Sequence, residues 1–310
     1  MQDKIISEFA TIRNECKLHF AEKELWPSYY NRRYYEFLTF YELLPEKKFV
    51  RILELGCGIG YYSAFLSKIA NEVVATDLET VDPLTHSPGL QITRDFLKKL
   101  NVQNVQVMHA SAEELPFADN SFDIVFSSHV LEHVPDINKA IKEINRVLKP
   151  GGYNFCVVPT TADRVYAFFT FYIFLLQRSV AKMGSVFMPK KKTSGTPEEA
   201  SLQTASGGGI RFYFRHFPFP PPHGVFPNYL TEFRKWTLRN WKNVITDNGS
   251  YPFHSQRGLQ MNPLLPLLGN IFPRTGVFFF SLTRRAENLV SGTPLFRWLG
   301  ISTLIITRKK

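Results

Sequence analysis

The chain opens with apolar residues at helical spacing, Ile5, Ile6, Phe9 and Ile12, which predicts helix through residues 1–44. Trp26-Pro27 interrupts it, because proline disfavours helix at the residue before it. The pattern then shifts to a short apolar run, Val50, Ile52, Leu53 and Leu55, suited to a buried strand. That run ends in Gly56, Gly58 and Gly60, after which Tyr61 to Ile69 reads as a helix. Further strands are predicted at Glu72–Asp77, Val105–His109, Ile124–Ser128 and Tyr153–Val158. Helices fall between them at Thr93–Leu100 and Asp136–Leu148, the latter stopped by Lys149-Pro150-Gly151-Gly152. Strands alternating with helices predict an α/β fold with a doubly wound, mostly parallel sheet. Leu304–Thr307, and a stretch near Tyr251–Leu259 after a helix Phe233–Asn248, bring the strands to seven.

The remaining apolar stretches are too long for a minimal fold of this kind. They divide the chain into an N-terminal helical cover (1–47), a core (48–160), an apolar and basic cap insertion (161–228), and the last strands (229–310) with a second apolar insertion near 260–299. Val165–Leu176 is a 12-residue apolar run, short of the ~20 residues that span a bilayer. It suits either a buried helix or one lying in a membrane interface. Thr193–Gly209 is rich in Ser, Gly and Thr and is expected to be a mobile loop. Arg211–Gly224 interleaves arginines with aromatics before a proline run.

Charge sharpens that division. The net charge of +10 is uneven. Residues 1–160 hold 17 Lys/Arg against 21 Asp/Glu, net −4, and residues 161–310 hold 20 against 6, net +14. The second half therefore suits an anionic partner such as a phospholipid surface, a phosphorylated substrate or nucleic acid. Cys16, Cys57 and Cys156 lie far apart, which predicts free thiols in a reducing compartment and no metal site. The N-terminus carries acids and lacks a signal-peptide apolar core, so a cytoplasmic location is expected.

Strand, glycine turn and helix together bring main-chain N–H groups toward a ligand, and glycine leaves no Cβ to block close approach. Asp77 lies 17 residues beyond Gly60, near the separation expected of an acid that holds ribose hydroxyls. The stretch containing Tyr29, Tyr30, Arg32, Arg33, Tyr34 and Tyr35 is either a packing helix or a lid reaching the ligand.

These segments resemble class I S-adenosylmethionine-dependent methyltransferases, in the subgroup related to ubiquinone and menaquinone methyltransferases. The matching stretches are I-L-E-L-G-C-G-I-G (52–60), V-V-A-T-D (73–77), A-E-E-L-P-F (112–117), N-S-F-D-I-V-F-S-S-H-V-L-E-H-V (120–134) and R-V-L-K-P-G-G (146–152). The resemblance implies a Rossmann-like sheet and S-adenosylmethionine as cofactor. It implies that Glu54 and the main chain of Gly56, Cys57, Gly58 and Gly60 hold the methionine end. Asp77 would hold the ribose, and Leu78, Ser111, Ala112 and Glu113 would lie about the adenine. Ser127, Ser128 and His129 would line the cleft toward the acceptor. Ser111 stands where the family usually has aspartate; its hydroxyl still accepts a hydrogen bond, without charge assistance.

Direct displacement at a sulfonium carbon demands alignment and water exclusion, with a base only for an oxygen acceptor. His129, His133, His216 and His223 are the candidate bases, and Glu132 is a candidate helix cap. The expected acceptor is a small molecule, a lipid or a lipid-linked compound, saccharide-bearing ones included, reached by peripheral contact with the cytoplasmic face of an anionic membrane. A nucleic-acid methyltransferase is disfavoured because S-S-H-V follows the fourth strand in place of an N/D-P-P-[YF] motif. A cofactor-binding membrane adaptor without catalysis is the alternative from another class.

Overall fold

The computed structural model describes residues 2–20, 27–78, 89–187, 210–247, 251–259 and 300–310. The expected mobile loop, the irregular stretch after Leu78 and the second insertion fall outside the described residues. Seven strands form one sheet: β1 (Phe49–Leu55), β2 (Ala70–Asp77), β3 (Val105–His109), β4 (Phe122–Ser128), β5 (Leu148–Pro159), β6 (Phe253–Leu259) and β7 (Ser302–Arg308). Their order is β3-β2-β1-β4-β5-β7-β6. The first five pair in parallel, whereas β7 runs antiparallel to both β5 and β6. Strand order reverses between β1 and β4, the place where open α/β sheets present the carboxyl ends of their strands to a ligand.

Alternation along the strands divides the core between the two faces of the sheet. Ile52, Val73, Phe126, Phe155 and Leu304 meet the N-terminal helices α1 (Gln2–His19) and α2 (Pro27–Leu43), with α3 (Tyr61–Leu66) and α4 (Gly89–Lys99). Leu53, Val74, Val125, Cys156 and Ile305 meet α5 (Ile137–Val147) and the two buried tryptophans Trp236 and Trp241. Phe37 of α2 lies among the rings of Phe9, Phe40 and Phe65 at centroid distances of 5.1, 5.2 and 4.7 Å. Truncating a ring so enclosed costs about 3–5 kcal/mol, so α2 is anchored firmly over the strand ends.

Several expected boundaries move. The helix expected at Thr93–Leu100 begins at Gly89. Lys149-Pro150-Gly151-Gly152 does not stop the preceding helix from outside; it lies within β5. Leu148 is already extended and pairs with Phe122, and the register then shifts before Tyr153 pairs with Ile124. Gly151, at φ +78°, takes up that irregularity. The single helix expected at Phe233–Asn248 is two, α8 (Tyr229–Lys235) and α9 (Leu238–Ile245). Thr237 separates them because its hydroxyl caps α9 by accepting from the Asn240 N–H, at an extended backbone geometry.

The cap leaves the sheet directly from the end of β5. Helix α6 (Thr161–Phe187) spans 27 residues and packs against α7 (Ile210–His216) and α8. Among the described residues, no helix is long and apolar enough to cross a membrane.

Candidate functional site

The carboxyl ends of β1, β2 and β4 bring together most of the residues singled out in the sequence. Gly56, Gly58 and Gly60 all take left-handed backbone conformations. A Cβ on Gly56 would sit 2.2 Å from Val130 Cγ2, so the turn requires glycine there. At Gly58 a Cβ would meet nothing within 4 Å, which leaves the turn open to a ligand on that side. Cys57 contributes no reactive side chain. Its Sγ lies 3.8 Å from Thr93 Oγ1, its N–H donates to Thr76 O, and burial raises the thiol's pKa well above normal.

Two carboxylates flank the turn. Asp77 accepts from the Gly58 N–H at 2.7 Å and from the Leu78 N–H at 2.8 Å, so it organises the turn it is expected to serve. Partial burial raises its pKa, against the two main-chain donors. Glu54 is only 1% exposed. Its Oε2 accepts from Ser63 Oγ at 2.5 Å, and its Oε1 is buried with no hydrogen-bond partner. Burial pushes its pKa up to about 8; the Ser63 hydrogen bond opposes that rise and the negative charge of Asp77 adds to it.

Leu78 stands half exposed beside Asp77. Ser111 accepts from the Glu113 N–H at 3.2 Å, and Glu113 accepts from the Asp136 N–H at 2.7 Å. Ala112 packs against the core on the α5 face, so this loop is tied to the start of α5. Ser127 does not line a cleft as expected. It is buried beside Cys156 of the neighbouring strand, and strand alternation turns it to the face opposite Ser128. Glu132 does not cap a helix; Asp136 caps α5.

The sequence reading missed a polar network at the end of β4. Tyr62 OH donates to Glu36 Oε2 at 2.5 Å, and Arg33 Nη1 donates to the same oxygen at 3.0 Å and to Ser128 Oγ at 3.2 Å. Glu36 Oε1 lies 3.6 Å from His129 Nε2, which also lies 3.2 Å from Ser302 Oγ. On the other side of the ring, Nδ1 lies 3.4 Å from Glu132 Oε1. Burial and Arg33 disfavour a charged His129, yet Glu132 and Glu36 outweigh them and raise its pKa. A histidine held between two carboxylates, with both nitrogens engaged, is a charge partner rather than a ready base. The aromatic and basic stretch of α2 did carry a signal, since Arg33 and Glu36 are spaced for one helix face. Their partners nearly a hundred residues away were not readable from it.

His133 and His223 come together, with ring centroids 4.9 Å apart, next to Glu132. His216 ends α7 against Phe212.

Known proteins resemble this chain in its core and in its fold. Residues 53–156 match the family described as a methyltransferase domain. The chain is 42% identical over 107 residues to the ubiquinone/menaquinone biosynthesis C-methyltransferase UbiE of Haemophilus ducreyi, covering 34% of this chain and 40% of that protein. It is 32% identical over 151 residues to a demethylmenaquinone methyltransferase of Staphylococcus aureus, covering 47% of this chain and 58% of that protein. The matches thus span about half the length of these curated relatives. The crystal structure of the PH0226 protein of Pyrococcus horikoshii is similar in fold, with a TM-score of 0.50 at 16% identity over 93% of each chain.

Proposed function

We propose, for a chain whose residues 53–156 match the methyltransferase-domain family, that it is a class I S-adenosylmethionine-dependent methyltransferase and that the whole protein methylates an apolar small molecule. The acceptor class is a lipid or lipid-linked compound, of which the quinones in its relatives' names are one kind. The observation that carries the reading is Glu54 Oε1, a buried acceptor without a donor at the end of β1. An unmet buried group of this kind costs about 1–3 kcal/mol. The ammonium of the cofactor's methionine end would remove that cost, so the residues present fit the group. Asp77 would hold the ribose hydroxyls with lone pairs left free by Gly58 and Leu78, and the exposed Leu78 side chain would pack on adenine.

S-adenosylmethionine supplies a methyl group already activated on a sulfonium sulfur, so the protein's task is to align and to exclude water. Arg33 fixes Ser128 at the end of β4, and Glu36, Glu132 and Ser302 fix the His129 ring beside it. That network would form a rigid wall on the acceptor side. Calorimetric titration with S-adenosylmethionine, followed by transfer of its labelled methyl group to a native lipid extract, tests the reading. One equivalent bound and a methylated lipid product are expected. A folded protein that fails to bind the cofactor sinks it, and binding without product across broad extracts favours the adaptor alternative.

Peripheral membrane contact is supported by α6. Val165, Phe169, Ile173 and Leu176 recur at helical spacing, and Phe169 and Leu176 are 61% and 66% exposed. An exposed apolar stripe on a net-basic half suits the interface of an anionic bilayer. The protein is expected to float with anionic liposomes at low salt and to be released when Phe169 and Leu176 are both changed to serine. Equal flotation of that variant, or none by the wild type, removes the membrane contact.

A further inference from the structure

We propose that Glu132, His133 and His223 form a binding site for a divalent first-row transition metal ion beside the end of β4. One ligand atom from each lies within 4.8 Å of the other two. Metal–ligand bonds of about 2.0–2.2 Å place ligand atoms a little over 3 Å apart. Torsional adjustment of the two exposed imidazoles would close the remaining gap on binding. Glu132 supplies the independent indication. Its side chain is fully buried; His129 Nδ1 engages Oε1 at 3.4 Å, and Oε2 meets no hydrogen-bond donor at good geometry. A buried carboxylate oxygen lacking a donor beside two imidazoles is the arrangement that a cation completes.

The loop carrying His223 is built to stay there. Val225 N–H donates to Glu132 O at 3.0 Å, drawing the loop onto the residue that bears the carboxylate. A Cβ on Gly224 would lie 2.3 Å from that same Glu132 oxygen, so only glycine permits the approach. The N–H groups of His223 and Gly224 both donate to Glu232 Oε1, at 2.7 and 2.6 Å. Glu232 Oε2 in turn receives Arg164 Nη1 at 3.0 Å, in a pair whose side chains are 0% and 6% exposed. The Arg164 guanidinium lies 4.6 Å from the centre of the Trp236 ring, which fixes the clamp against the core. Outer partners of this kind orient the ligands of metal sites.

Two imidazoles and one carboxylate select zinc, iron, cobalt or manganese over the all-oxygen preference of calcium and magnesium. Both imidazoles are exposed, so the rest of the coordination sphere would be open to water or to an oxygen of an incoming molecule. That molecule would be the methyl acceptor, a role that rests on the methyltransferase reading; metal binding itself does not.

The test uses full-length, tag-free protein stripped of metal with a chelator and titrated with Zn2+ and Mn2+ by calorimetry and with Co2+ by visible absorption. One equivalent should bind, with Co2+ d–d bands. The His133→Ala/His223→Ala double variant should lose more than the 10–100-fold in affinity that loss of an outer-shell partner alone costs. Both histidines are exposed, so this variant should keep the wild-type circular dichroism spectrum and S-adenosylmethionine affinity. No binding by the wild type, or undiminished binding by the folded double variant, overturns the site. Metal binding in a protein that binds no S-adenosylmethionine would leave the site standing and remove the methyltransferase reading instead.

Discussion

Replacing Asp77 with alanine is expected to lower affinity for S-adenosylmethionine by about 100-fold, read by calorimetric titration. The carboxylate serves two ends at once. Toward the protein it accepts the Gly58 and Leu78 N–H groups, holding a turn whose glycines sit at positive φ. Toward the cofactor, the proposed bonds to the ribose hydroxyls are each charge-assisted and worth about 1.5–3 kcal/mol. Losing two of them, even at the lower end of that range, corresponds to roughly two decades in affinity before the turn relaxes. Asp77→Asn should lose less, because one amide oxygen can still accept. Unchanged affinity in a folded Asp77→Ala protein would exclude the ribose assignment.

Glu54→Gln is expected to weaken cofactor binding and to abolish its pH dependence. Burial holds the Glu54 pKa near 8, far above the unfolded carboxyl range. Between pH 4.5 and 8 the native carboxyl therefore keeps a proton that the unfolded chain releases. In that window the native state binds more protons, so its stability falls as pH rises. An arriving ammonium reverses the preference by stabilising the carboxylate. Binding should then release about one proton at neutral pH, and affinity should climb by up to about tenfold per pH unit between pH 6 and 7.5. Calorimetry in buffers of differing ionisation enthalpy measures that proton directly. Glutamine keeps the shape and an acceptor oxygen but cannot ionise, so its profile should be flatter than the wild type. Identical proton release by the two proteins would place the titrating group elsewhere.

Asp77 was singled out by its spacing from the glycine turn, and Glu54 through the family resemblance. Glu54 sits in the strand that feeds the glycine turn, and Asp77 ends the next strand at a fixed separation from it. Short apolar runs also placed β1 to β5 and β7, since a strand's pattern belongs to a few consecutive residues, whereas β6 was placed as the strand the fold still lacked. The misplaced boundaries share one cause, which is that stop signals are local and pairing is not. Lys149-Pro150-Gly151-Gly152 has every mark of a helix end, yet Leu148 pairs with β4 before it and Tyr153 with β4 and β7 after it, so it is carried within the strand. Thr237 breaks a continuous helical pattern because its hydroxyl finds the Asn240 N–H.

The sequence alone determined the architecture and singled out the residues proposed for the cofactor side, because periodicity and motif spacing are written within short windows of the chain. Only the tertiary structure decided what surrounds the acceptor side. Glu36 and Ser302 reach His129 from positions 93 residues before and 173 after it, and a buried arginine–glutamate clamp brings His223 to Glu132. Contacts between such distant positions depend on strand order and on which polar groups burial forces to find partners, and neither is a property of any one stretch.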